Sequence, residues 1–104
     1  TAIRVAALRL LGQLSTAVDG LAEAFEDKAV EWAEIRKAGR THLHDATPLT
    51  LGQECAAYAA NIRRAGDRLR QQEATLAEVP LGSTAIGTGI NAHPDYAALV
   101  RPAP

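Results

Sequence analysis

The chain has 104 residues, enough for one domain if its segments can fold back on each other and share a core. Apolar residues make up 47 % and charged residues 22 %, and 11 basic against 12 acidic side chains leave 11 − 12 = −1. That balance excludes the strongly basic surface of a nucleic-acid binder, and no apolar run approaches the roughly 18 residues a membrane-spanning helix needs. The one local charge excess, Arg63, Arg64, Arg68 and Arg70 around Asp67, reads as a solvated helix face rather than a phosphate strip. The single cysteine, Cys55, rules out an intrachain disulfide and fits a cytoplasmic, reducing compartment. Set in a run of alanines, it reads as a small buried side chain and not a nucleophile. The opening residues show no secretory leader, although a start on Thr1 and an end on Pro102-Ala103-Pro104 point to a piece of something longer.

The first element is a long helix, predicted over about residues 2–38. No proline interrupts Ala2 to Lys37, and Leu11, Leu14, Val18, Leu21, Phe25, Trp32 and Ile35 recur at helical spacing, with Lys28 as the one break. At 1.5 Å per residue such a helix is about 50 to 55 Å long, which suits a bundle better than a compact domain. Ile3, Val5, Leu8, Leu10 and Val30 make it apolar over more than one narrow seam, so other helices must cover it.

A polar stretch over 39–49, GRTHLHDATP and the residue after it, follows as a candidate site loop. It packs an arginine, two threonines, two histidines and an aspartate into a space where a bundle turn needs few hydrogen-bonding groups. A second helix is predicted over about 50–79, from the stripe Leu51, Cys55, Tyr58, Ile62, Ala65, Leu69, Leu76 and Val79, with Gln72 in its polar slot. Two starts compete: Thr47 with Pro48 in the first helical position, or Thr50 with Gln53 as a capping box. Pro80 and Gly82 stop the helix. A Gly-rich connection occupies 80–92, where Gly82, Gly87 and Gly89 permit positive φ and close backbone approach, and a third helix starts over 93–101 before Pro102. No strand pattern and no internal repeat is visible, so the predicted class is all-α: two long antiparallel helices and the start of a third, as a partial helical-bundle domain.

The connections offer three chemistries. A metal site from His42, His44 and His93 lacks the further Cys or carboxylate ligands that zinc normally takes. A phosphate cradle from GSTAIGTG lacks the Lys-Ser/Thr of a P-loop and the preceding strand of a dinucleotide fold, so no metal and no cofactor is expected. Anion recognition and proton handling by Thr41 and His42 is the stronger reading. A hydroxyl and an imidazole on consecutive residues after Gly39 can hydrogen-bond a carboxylate, and an unperturbed imidazole titrates near neutrality. The bland alternative is that both are turn residues satisfying helix-end groups.

GRTHLHDATPLTLGQE, from Gly39 to Glu54, resembles a signature of the fumarase/aspartase superfamily, and GSTAIGTGINAHP, from Gly82 to Pro94, resembles a second stretch of that family. The resemblance extends from Thr1 to about Val100 and leaves only RPAP outside it. It implies a central helical piece of a homotetrameric lyase that forms fumarate from a dicarboxylate carrying a succinyl unit. It also implies that Thr41 and His42 contact a substrate carboxylate, with His42 as the catalytic residue in proton transfer or in orienting the leaving group. Two further family regions would lie elsewhere: a Ser-Ser-Asn-rich segment before Thr1, and a later flexible loop with the catalytic serine and a lysine. His44 stands where relatives commonly have glutamine or methionine. GSTAIGTGIN and FEDKAVEW favour aspartate ammonia-lyase over class II fumarase, whose usual form is GGTAVGTGLN. The rival readings are a non-catalytic helical oligomerisation module and a truncated gene product.

Overall fold

The computed structural model describes residues 1–100, and these form three helices and one β-hairpin. Helix α1 spans Ala2–Glu31, strand β1 Arg36–Thr41, strand β2 His44–Thr50, helix α2 Leu51–Ala77 and helix α3 Tyr96–Val100. The architecture is the long-helix one, with α1 and α2 running antiparallel. The described part is a rod of 70 × 27 × 16 Å whose radius of gyration is 22.8 Å. A compact domain of this length would have a radius of about 13 Å, so the rod does not enclose a core of its own.

What joins α1 to α2 is close approach of small residues. Ala22 of α1 and Gly52, Cys55, Ala59 and Gly66 of α2 are buried, together with Leu11, and no large side chain is fully enclosed among the described residues. A Cβ at Gly66 would sit 3.2 Å from Cγ1 of Val18, and one at Gly52 would run into the Ala29 carbonyl and Ala33. Gly66 lies mid-helix, where glycine ordinarily costs about 0.5–1 kcal/mol relative to alanine, and Gly52 lies in the first turn; at both, the missing side chain is what lets the backbones meet. Charge pairs flank the seam. Arg63 forks onto the Glu26 carboxylate through Nε and Nη2 at 2.9 and 2.8 Å, while Arg70 reaches Asp19 at 3.1 Å.

Each end of α2 is completed by groups from α1 or the turn that follows it. At the start, Leu51 N–H donates to the Ile35 carbonyl at 2.8 Å and Gly52 N–H to the Trp32 carbonyl at 3.0 Å. Gln53 N–H donates to Thr50 Oγ1 while the Gln53 side chain accepts from Thr50 N–H, a complete capping box. Thr50 is therefore the cap, and Thr47-Pro48 lies in β2. At the other end the Arg4 guanidinium donates to the Thr75 and Glu78 carbonyls, which a helix C-terminus leaves without partners.

Several expected boundaries shift. The first helix was expected to reach residue 38 and ends at Glu31, because Arg36, Lys37 and Ala38 pair instead with Thr50, Leu49 and Pro48. The stretch 39–49, expected as a site loop in an all-α chain, is thus most of a β-hairpin. The second helix stops at Ala77 rather than 79. The third is Tyr96–Val100, and its expected continuation to Arg101 and stop at Pro102 lie outside the described residues.

Candidate active site

Thr41 closes β1 and pairs with His44 across a two-residue connection formed by His42 and Leu43. Both connecting residues have positive φ, 50° and 64°, the pattern of a type I′ turn, whose twist matches that of the strands it joins. Leucine rarely adopts this conformation, and Leu43 is also 95 % exposed, so an apolar side chain stands in the open at the tip of the hairpin. Thr41, His42 and His44 are exposed beside it.

Below the tip, β2 carries one extra residue between the pairs Ala38–Pro48 and Arg40–Asp45. Gly39 faces this bulge. A Cβ there would lie 2.5 Å from the Thr47 carbonyl oxygen and 2.9 Å from Cδ2 of Leu49, so only glycine fits. Alternation along β1 puts Lys37, Gly39 and Thr41 on one side of the hairpin, and direct pairing puts His44 on that side too. Arg40 and Asp45 occupy the other side and bond to each other at 3.2 Å. A groove of about 540 Å³ runs along the hairpin, with Lys37, Gly39, Arg40, Thr41, Thr47 and Glu54 in its lining.

The groove has an ionised base. Lys37 Nζ bonds Glu54 Oε2 at 2.5 Å, and Tyr58 Oη donates to Glu54 Oε1 at 3.0 Å. Lys37 first, and Tyr58 second, hold the Glu54 carboxyl below the usual carboxylate range, while the same bond pushes the Tyr58 hydroxyl up. Neither Lys37, Glu54 nor Tyr58 was singled out for chemistry from the sequence, although Glu54 closes the stretch GRTHLHDATPLTLGQE.

The Gly-rich connection forms a second polar groove of about 320 Å³, with Ser83, Thr88 and His93 in its lining. Gly82, Gly87, Gly89, Thr84 and Asn91 all have positive φ. Gly82 also packs against Ala97 of α3, where a Cβ would come within 2.8 Å of the alanine methyl. The two candidate walls do not meet. They lie at opposite ends of α2, a helix of 27 residues and so about 40 Å long. His93 is correspondingly remote from His42 and His44, and no three His, Cys, Asp or Glu side chains converge on a metal position among the described residues.

Comparison with known proteins accounts for this arrangement of hairpin, paired helices and Gly-rich turn. The model of the family described as Lyase matches residues 1–102. The chain belongs to the fumarase/aspartase superfamily. It is 44 % identical to the aspartate ammonia-lyase of Bacillus subtilis over 92 % of its own length, and 46 % identical to the class II fumarate hydratase of Thermus aquaticus over 96 %. Among solved structures it superposes on a fumarate lyase:delta crystallin from Brucella melitensis with a TM-score of 0.86 and 49 % identity, covering 93 % of this chain. The chain spans about a fifth of the length of these relatives: 20 %, 22 % and 21 % respectively. Among the described residues no helix is long and apolar enough to cross a membrane.

Proposed function

We propose that the chain is part of a cytoplasmic, homotetrameric lyase that eliminates ammonia from L-aspartate to give fumarate. In this reaction a proton leaves the carbon next to the one bearing the amino group, the C–H pair becomes the new double bond, and the C–N bond breaks. The observation that carries the reading is the position of Thr41 and His42 at the end of the hairpin, within a chain of this superfamily. There the Thr41 hydroxyl can donate to a substrate carboxylate, and the adjacent imidazole can bind the same anion or handle the proton. Sequence motifs tip the balance to aspartate; hydration of fumarate to L-malate is the alternative, since relatives of both activities are similarly close.

Two features support an assembly of several copies. The hairpin and the Gly-rich turn are separated by the length of α2, so both can wall one small dicarboxylate only if they come from different copies. In addition, α1 presents large exposed apolar side chains that a helical bundle would cover. A purely structural oligomerisation module would share the second feature but gives no role to the groove.

The test uses the parent enzyme and follows fumarate absorbance with L-aspartate and L-malate. His42→Asn is expected to lower kcat/KM by a factor of roughly 10² or more, as for loss of a positioned acid–base group. His44→Gln, which restores the residue common in relatives, is expected to stay within a few-fold. A His42→Asn enzyme with nearly unchanged kcat/KM and a lower Tm would make His42 a turn residue only. Turnover of malate without turnover of aspartate would reassign the chemistry to hydration.

A further inference from the structure

The hairpin is a lever. It leaves the helices at Ile35 and Leu51 and reaches its tip at His42 about seven residues later, roughly 23 Å at the rise of a strand. A swing of 10° at the base would then move the tip by about 4 Å. A displacement of 1 Å can already cost up to about 10²-fold in rate, so groups at the tip are useful only if the base angle is held to a few degrees.

At the base, backbone bonds from Leu51 and Gly52 to the Ile35 and Trp32 carbonyls form a hinge. A line of side chains braces it from one side. Phe25 of α1 meets Tyr58 of α2 edge-on at 5.6 Å; the Tyr58 hydroxyl donates to Glu54; Glu54 accepts from Lys37; and Lys37 shares its side of β1 with Thr41. Glu54 is the one member that touches both the helix side and the strand side, and its side chain is only 28 % exposed. Between Lys37 and Thr41, the space a Cβ on Gly39 would take is filled by the Leu49 side chain and the Thr47 carbonyl.

We propose that Glu54 is a positioning residue, which by bridging Tyr58 and Lys37 fixes the angle between the hairpin and α2 and so the placement of Thr41 and His42. The inference rests on the assignment of those two residues to the substrate.

The experiment compares Glu54→Gln, Lys37→Met and Lys37→Arg in the assembled parent enzyme. Amide hydrogen exchange across Arg36–Thr50 is read alongside kcat, KM and Tm. Glu54→Gln keeps the shape and a partner for Tyr58 while removing the charge that attracts Lys37. Glu54→Gln and Lys37→Met are expected to speed exchange in the hairpin several-fold and to lower kcat about tenfold, with KM and Tm moving little. Lys37→Arg should recover most of the loss. Unchanged hairpin exchange in both of the first two variants would overturn the brace, whatever the activity shows. Faster exchange with unaltered kcat would overturn its link to the reacting groups. If the unmodified enzyme turned over no dicarboxylate, the assignment of function would fail, and the exchange data would still decide for or against the brace.

Discussion

Helix α1 and the turn after it carry two lines of residues at sevenfold spacing, and they meet opposite fates. Leu11, Val18, Phe25 and Trp32 are buried or half-buried on the α2 side. Leu14 and Leu21 are 47 % and 51 % exposed, and Lys28 and Ile35 continue their line in the open. The partner explains the difference. On the covered side α2 offers Gly52, Cys55, Ala59 and Gly66, so the helix axes come close and α1's larger side chains lie along the joint. On the other side the described residues leave Leu14 and Leu21 about half uncovered, and side chains worth about 1.5–3 kcal/mol each on full burial remain available to another helix. One line therefore fixes the local shape on which the hairpin is mounted, and the other fixes what the molecule must associate with.

Jamming the covered line should have the largest effect. In Gly52→Leu the new side chain would start inside the Ala29 carbonyl and Ala33, against backbone that cannot rotate away. The junction would have to open, breaking the bonds from Leu51 and Gly52 that anchor the hairpin. A loss of about 3 kcal/mol or more is expected, at the upper end for overpacking, visible as a much lower Tm. An unchanged Tm would mean that the two helices are not held by this close approach.

The bare line is sharpened by Leu14→Glu combined with Leu21→Glu. Because both positions are exposed within the chain, the α1–α2 pair should keep its helical content. Association should weaken by roughly 10²-fold or more, since two large apolar contacts are replaced by charges that would need desolvation. Sedimentation at several concentrations reads this directly. Unaltered assembly would show that the stripe faces solvent in the native protein.

These two lines also show why only part of the fold could be read in advance. Leu11, Leu14, Val18 and Leu21 form one run of helical spacing in the sequence, and nothing in it says which members meet α2. That is decided by Gly52 and Gly66, whose role is invisible until two backbones are brought together. The Thr50–Gln53 capping box was legible because its bonds are local. The hairpin was not. Its tip is His42-Leu43 instead of the Asn-Gly or Asp-Gly that marks such turns, and its strands are short, polar and include Pro48 and Gly39. Its strands pair all the same, and Arg36–Ala38 join them instead of continuing α1. Thr41 and His42 stand out in the sequence as candidates for chemistry; Lys37, Glu54 and Tyr58 do not, because their relation exists only after β1 lies beside α2.

The smallest expected effect tests the charges along the covered line. Arg63, donating to both oxygens of Glu26, holds that carboxyl below its ordinary value. A carboxylate whose folded pKa is depressed contributes stability above its unfolded pKa of about 4.3 and loses that contribution as pH falls through the lower, folded value. The native protein should therefore be stabilised by this pair at pH 7 and progressively less so below about pH 4. Glu26→Gln removes the titrating group, so its Tm should lie slightly below that of the parent at pH 7, and the two should converge as pH falls through the lowered carboxyl pKa. The gap should also shrink in high salt, because the pair lies at the edge of the seam, where solvent screens it. A gap that stayed constant through the acid range would assign the effect of Glu26 to packing against α2 and not to its charge.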